Sequence, residues 1–175
     1  PHANGLREAR LLVEHVTGHS TAAQIVVADH RVPQKDQETL LALAARREAG
    51  EPLARILGRA AFWDFDVGLN AATLIPRDDT ATLVEAALAL LPEESTAHVV
   101  DVGTGSGIIL LALARERPHI FGTGLDVAAD AVTQARANAV GLGLADRLTF
   151  AQSDWLRAVD GPLDMIVSNP PYISR

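Results

Sequence analysis

No cysteine occurs anywhere in the chain, which excludes disulfides and thiolate metal sites and fits a reducing cytoplasm. Runs of Lys and Arg are missing as well; the one adjacent basic pair is Arg46-Arg47, and the net charge is −7. That balance disfavours bulk binding of nucleic acid by charge, although it leaves room for a local basic groove. Long apolar runs are also lacking. The segment Ile108 to Ala114 is apolar but too short to span a bilayer, and it follows directly on a glycine-rich loop. The first residues do not have the pattern of a secretory signal. His15, His19 and His30 match no metal-ligand spacing and read as surface or capping residues. The chain opens on Pro1 rather than Met and stops three residues after Tyr172, so a trimmed or partial chain is expected.

What is present suffices for a packed core. With 175 residues, 48% of them apolar, one cored domain plus a small appendage is expected. Leu6, Ala9, Leu12, Val13 and Val16 recur at spacings of three and four, predicting a helix that Gly18 ends. A second helix is predicted from about Thr21 to Ala28, and a third, capped by Asp36, carries Leu40, Leu41, Leu43 and Ala44. Gly50-Glu51-Pro52-Leu53 reads as a linker into a short helix that Gly58 closes, followed by a strand or hairpin over 62–67. A further helix with Leu83, Val84, Ala87 and Leu91 is expected to be N-capped by Asp79 or Thr80. Arg77, held just before it by Pro76, reads either as a surface arginine or as one aimed at a cofactor or substrate carboxylate.

Two stretches carry chemistry. The first is Val99-Val100-Asp101-Val102-Gly103-Thr104-Gly105-Ser106-Gly107, a strand and glycine loop opening the helix from Ile108 to Arg115. Glycines at alternate positions let a backbone approach a ligand and present N–H groups at a helix start. The nicotinamide fingerprint wants glycine where Ile108 stands, and the phosphate-loop lysine is missing. A ligand with a carboxylate and an adenosine but no pyrophosphate fits better, which points to S-adenosylmethionine. A second strand, Ile120 to Leu125, ends at Asp126, an acid placed to accept from both ribose hydroxyls, as an NAD protein would also place it. After a helix over 128–140 and a third strand over 147–151 come Ser153-Asp154-Trp155. Asp154 reads as an acceptor for the adenine amino group or as a helix cap, and Trp155 as a surface for the base or as a core aromatic.

The second stretch is Asn169-Pro170-Pro171-Tyr172, at the end of a short strand through Met165, Ile166 and Val167. Two prolines lack N–H groups, so neighbouring carbonyls are left for a ligand; Asn169 adds an acceptor and Tyr172 a stacking face. The combination suits a planar group at the carboxyl edge of a sheet, where open α/β folds bind ligands.

Taken together, the glycine loop, Asp126, Ser153-Asp154-Trp155 and Asn169-Pro170-Pro171-Tyr172 resemble the class I methyltransferases that modify a planar nitrogen. With Gly50-Glu51-Pro52-Leu53, Gly58 and Phe62, then Leu74-Ile75-Pro76-Arg77 and Asp79-Thr80, the chain is similar to the bacterial release factor glutamine methyltransferases of the HemK/PrmC type. The resemblance implies an α/β fold: a Rossmann-like class I methyltransferase sheet, preceded by a small all-helical domain. It implies residues 1–50 as a substrate-docking domain, 51–92 as linker, hairpin and first helix, and 93–175 as a methyltransferase domain lacking its last strands. Asp101, Gly103, Thr104, Gly105, Ser106, Gly107, Asp126, Asp154, Trp155 and Asn169 would hold S-adenosylmethionine. Asn169, Pro170, Pro171, Tyr172 and Arg77 would meet the substrate, with Asn169, Pro170 and Tyr172 acting in catalysis. The substrate implied is the glutamine of a Gly-Gly-Gln loop in a peptide chain release factor, handled by a cytoplasmic monomer with no membrane or nucleic-acid partner.

The family pattern differs here at Asp78, where a second proline is usual, and at Ala81 and Ala61, where acids are usual. Strands beyond Asn169 belong to the family's sheet, so the strand before Asn169 is expected as an open edge in this chain. Three other readings remain: a ribosomal protein glutamine methyltransferase, a nucleic-acid adenine N6-methyltransferase, and a cofactor-binding module without activity.

Overall fold

The computed structural model describes residues 2–27 and 29–170, and its contacts divide the chain into two units meeting between Gly58 and Arg59. The first unit is helical: α1 (His2–Thr17), α2 (Thr21–Val26), α3 (Gln34–Glu48) and α4 (Leu53–Leu57). α1 packs against the other three helices, with Leu12 buried between them. Polar contacts do much of the joining. Ser20 caps α2 by accepting from the Ala23 N–H at 3.2 Å, and Gln24 reaches back to the Arg10 carbonyl at 2.9 Å. Arg47 on α3 donates to both carboxylate oxygens of Glu8 on α1, at 2.9 and 3.2 Å. α3 starts at Gln34, two residues ahead of the expected Asp36 cap. Pro33 occupies the cap position, where its fixed φ suits the first turn, and Asp36 lies in that turn.

The second unit opens with a hairpin, β1 (Arg59–Phe62) and β2 (Phe65–Gly68), paired from Arg59↔Gly68 to Phe62↔Phe65. Trp63 takes a left-handed φ of 57° in the two-residue turn. Its indole N–H donates to Glu116, while Asp64 receives Arg115, so the tip of the hairpin is tied to one helix end. α5 (Asp78–Leu90) then leads into a parallel sheet built of β3 (His98–Val102), β4 (Phe121–Asp126), β5 (Leu148–Gln152) and β6 (Met165–Val167). α6 (Ile108–Glu116) and α7 (Ala129–Gly141) are the crossovers between β3, β4 and β5.

The sheet order is β5-β4-β3-β6. The chain walks outward from β3 through β4 to β5, then returns to the opposite side of β3. The order therefore reverses between β3 and β6, and the crevice at the carboxyl ends of those two strands is the switch point where such sheets take ligands. β6 lies at the edge of the described sheet, with Ile166 half exposed.

Burial explains the length of α6. Every residue from Ile108 to Ala114 is buried, so the helix is apolar all round rather than on one face. Each buried leucine there contributes about 1.5–3 kcal/mol. Close packing also explains two glycines inside β4. A Cβ on Gly124 would lie 2.3 Å from the Phe150 ring and 2.8 Å from Thr104 Oγ1, and one on Gly122 would lie 2.8 Å from Leu148. No helix among the described residues is long and apolar enough to cross a membrane.

Candidate functional site

A cavity of about 650 Å³ opens at the switch point, within the size range of small-molecule sites. The glycine loop forms its floor. Gly103, Gly105 and Gly107 all have positive φ, at 75°, 56° and 84°, values that side-chain-bearing residues adopt only with strain. Four of the loop N–H groups are already engaged within the protein. Those of Gly103 and Thr104 donate to the Leu125 carbonyl at 2.8 and 2.9 Å, that of Gly105 to Asp126 Oδ2 at 2.9 Å, and that of Gly107 to the Thr104 carbonyl at 2.8 Å. The loop folds back over the end of β4, held there by the first three of these donors, while the Gly107 bond closes the loop on itself.

The remaining walls are largely apolar, with a few charged side chains among them. Among the described residues, the charged side chains that line the cavity are Asp79, Asp126 and Asp154 against Arg77. Asp126 stands at the end of β4, and its second oxygen accepts from the Ala128 N–H at 3.0 Å, which fixes the carboxylate in place. Such a rim suits a positively charged ligand that carries hydroxyls and amino groups.

Asp101 and Gly107 do not line the cavity. Asp101 is fully buried beneath the loop, where its Oδ2 accepts from Thr104 Oγ1 at 2.7 Å and its Oδ1 has no protein partner. Burial pushes its carboxyl up to about 7, against the lowering effect of the Thr104 bond and with a smaller upward push from the Asp126 charge. Gly107 is the N-cap of α6, pressed against Ala135 and Phe150, each 3.2 Å from where a Cβ would sit.

The Ser153-Asp154-Trp155 segment follows β5. Ser153 donates its hydroxyl to the Trp155 carbonyl at 2.8 Å and accepts from the Ala158 N–H at 3.1 Å, clamping a single 3₁₀ turn, Trp155–Ala158. Trp155 itself has a φ of 56° and is 67% exposed, so it is no core aromatic; it stands at the cavity wall. Asp154 precedes that turn without capping it by a side-chain bond, and pairs instead with Arg157 at 2.8 Å.

At the opposite wall, β6 delivers Asn169 and Pro170 to the cavity. Ser168 anchors the strand end by donating to the Val102 carbonyl at 2.7 Å, and Asn169 Nδ2 donates to Thr80 Oγ1 at 2.8 Å. Pro170 lies 3.9 Å from where a Gly103 Cβ would be, so the two chemistry-bearing stretches abut. Pro171 and Tyr172 lie outside the described residues. Arg77 lines the cavity and is also the N-cap of α5; the expected cap by Asp79 or Thr80 is displaced, because both already lie in the first turn. Gly103, Thr104, Gly105, Ser106, Asp126, Asp154, Trp155, Asn169, Pro170 and Arg77 are thus brought together.

Sequence reasoning missed Ser168, Thr80 as a partner of Asn169, and Asn138. The last is buried on α7, accepts from the Gly68 N–H at 2.8 Å, and donates to the Gly68 and Ser106 carbonyls at 3.1 and 2.9 Å. It joins hairpin to glycine loop through contacts 32 and 70 residues apart in sequence, which no local pattern announces.

Comparison with known proteins gives two family matches: the methyltransferase small domain over residues 78–175 and the PrmC N-terminal domain over residues 2–58. The release factor glutamine methyltransferase of Rhodospirillum rubrum is 53% identical over 167 residues, spanning 95% of this chain and 51% of that protein. The enzyme of the same name from Bradyrhizobium diazoefficiens is 46% identical, over 95% of this chain and 57% of its own length. That from Escherichia coli is 44% identical, over 97% and 61%. The chain spans about half to three-fifths of the length of these curated relatives. Among solved structures, a SAM-dependent methyltransferase from Thiobacillus denitrificans in complex with S-adenosyl-L-homocysteine is 31% identical with a TM-score of 0.43, over 50% of this chain and 35% of that one.

Proposed function

Starting from the fact that the chain belongs to the methyltransferase small domain family, we propose that its cavity binds S-adenosylmethionine and directs a methyl group to a glutamine side-chain amide in a peptide chain release factor. The observation that carries this reading is the meeting of Asn169-Pro170 with the glycine loop and Asp126 in one cavity at the switch point of the sheet.

The residues present suit the cofactor. S-adenosylmethionine carries an ammonium and a sulfonium, and among the described residues three acidic side chains line the cavity against one arginine. Asp126 would accept from the ribose hydroxyls, Asp154 from the adenine amino group, and Trp155 would lie against the base. Asp101 and Gly107 act from beneath, by shaping the loop. When bound, the cofactor supplies an electrophilic methyl group on sulfur.

The protein's share of the work is positional. A glutamine amide nitrogen is a poor nucleophile because its lone pair is delocalised into the carbonyl. Asn169 Oδ1 and the Pro170 carbonyl accept from the two amide hydrogens, holding the nitrogen in place and raising its electron density. As the nitrogen gains its methyl group, one of those hydrogens leaves as a proton to water. Orientation of this kind is worth about 7–11 kcal/mol at best. Tyr172, by its place after Pro171, is assigned to stack on the amide plane. The helical unit, residues 1–58, is assigned to hold the release factor, and the helix through Leu57 is counted with it.

The test uses radiolabelled S-adenosylmethionine with three acceptors: a release factor, the same factor with its loop glutamine replaced by alanine, and an adenine-containing DNA strand. Label on the first alone is the expected result. Label on the DNA, or equal label on both factors, overturns the reading. Asn169→Ala is expected to lower turnover by about 100-fold or more while leaving cofactor affinity nearly unchanged by calorimetry; Asp126→Ala is expected to do the reverse.

A further inference from the structure

Resting on the reading that Asn169 receives the substrate amide, we infer that Thr80 is a positioning residue: its hydroxyl holds the Asn169 carboxamide in the rotamer that leaves Oδ1 free for the substrate. A carboxamide has two ends of nearly equal shape and opposite hydrogen-bonding character. Only the oxygen can accept from a glutamine amide. Turned round, Asn169 would set donors against donors, and the substrate nitrogen would lose its alignment.

The structure ties the nitrogen end down. Thr80 is 4% exposed, and its hydroxyl lies 2.8 Å from Asn169 Nδ2, with 89 residues between them in the chain. Because Nδ2 is committed to Thr80, Oδ1 points away from it. Both partners are rigidly mounted. Thr80 occupies the first turn of α5, where its N–H bonds to the Arg77 carbonyl at 3.0 Å, and the helix is anchored by buried Val84 and Ala87. Asn169 follows a strand in register with β3, where Asp101 opposes Val167, and Ser168 fastens the strand end to Val102. Thr80 and Asn169 both line the cavity. A bond between two mobile side chains would do little; this one joins two fixed elements across the site.

The experiment compares the parent chain with Thr80→Val, which keeps the shape and removes the hydroxyl, and Thr80→Ser, which keeps the hydroxyl. Turnover and KM on a release factor, cofactor affinity by calorimetry, and proton exchange of the Asn169 side-chain amide by NMR are measured. For Thr80→Val the expected kcat is about 30- to 100-fold lower, with KM and cofactor affinity within about twofold of the parent. Thr80→Ser is expected to restore kcat to within about threefold. A Thr80→Val protein that turns over like the parent overturns the inference. So does loss of kcat and cofactor binding together in both variants, which marks Thr80 as a packing residue.

If the parent binds cofactor yet leaves the release factor unmethylated, the functional reading fails on its own and amide exchange decides about Thr80. Faster exchange at Asn169 in Thr80→Val but not in Thr80→Ser supports the tether; equal exchange in all three proteins refutes it. Should valine not be accommodated, the same exchange is read in Thr80→Ala.

Discussion

The two units of this chain are held together by different forces. Among the described residues, the buried apolar side chains of the helical unit are Leu12 and Ile56, while Leu6, Ile25, Val26 and Leu41 stand exposed. In the α/β unit seven consecutive residues of α6, Ile108 to Ala114, are buried, as are Val99 to Val102 of β3 and Phe150. Charge divides just as sharply. Residues 1–58 hold seven Lys/Arg and seven Asp/Glu, so the whole net charge of −7 belongs to residues 59–175. The helical unit relies on caps and ion pairs at its surface, which water and salt weaken; the α/β unit relies on burial, which they do not. A rigid site needs the second kind of support, and the candidate site stands on it, with hydrogen bonds such as that of Ser168 to Val102 fixing its side chains.

The largest effect that would sharpen the contrast is a cavity in α6. Leu111→Ala is expected to cost the α/β unit about 2–5 kcal/mol in urea denaturation, whereas Leu41→Ala, 72% exposed in the parent, should change stability by less than about 0.5 kcal/mol. Similar costs at both positions would break the comparison. Next comes the glycine loop. Gly107→Ala combines a φ of 84° with contacts at 3.2 Å and should cost about 2–4 kcal/mol. Gly105→Ala, with φ 56° and open space around its Cβ position, should cost only about 1–2 kcal/mol. Denaturation midpoints of the two variants separate strain from crowding.

Asp101 gives a pH signature confined to the α/β unit. Its carboxyl, raised by burial to about 7 from an ordinary 3.8, holds its proton more tightly folded than unfolded. Its favourable contribution is therefore complete below about pH 4 and drains away as pH climbs to about 7. Asp101→Asn removes that loss. It should leave stability near the parent's at pH 4 and exceed it by about 1–3 kcal/mol at pH 8, read from denaturant curves at the two pH values.

The smallest effect belongs to the helical unit. The Arg47 guanidinium holds the Glu8 carboxyl below its usual range, and Arg46 does the same for Glu51, so these pairs help at neutral pH and are lost as pH falls through the lowered values. Both pairs are exposed enough to be screened. Arg47→Gln should speed amide exchange in α1 and α3 slightly in dilute buffer and hardly at all in 1 M salt. A large change that persists in salt would mean that the pair contributes more than its exposure allows.

Local pattern made the elements legible. Apolar spacing of three and four located α1 and α5, the alternation around Phe62 to Val67 marked extended structure without separating one strand from a hairpin, and short apolar runs ahead of glycine or acid located β3 and β4. Residue chemistry alone marked out the glycine loop, Asp126 and Asn169-Pro170. The N-termini of α3 and α5 were less legible, since several adjacent polar residues compete to cap and only the packed helix selects one. The direction of the loop N–H groups was not legible at all, because their acceptors, Leu125 and Asp126, lie on another strand.

What the sequence by itself determined, then, is which segments become helix or strand and which side chains can do chemistry, because periodicity and side-chain type are properties of neighbours along the chain. The tertiary structure alone decided that β6 returns beside β3 to open the crevice, that Asn138 joins hairpin to loop, and that Thr80 meets Asn169. Those contacts join residues tens of positions apart, and their geometry is set by sheet order and core packing, which exist only once the chain has closed on itself.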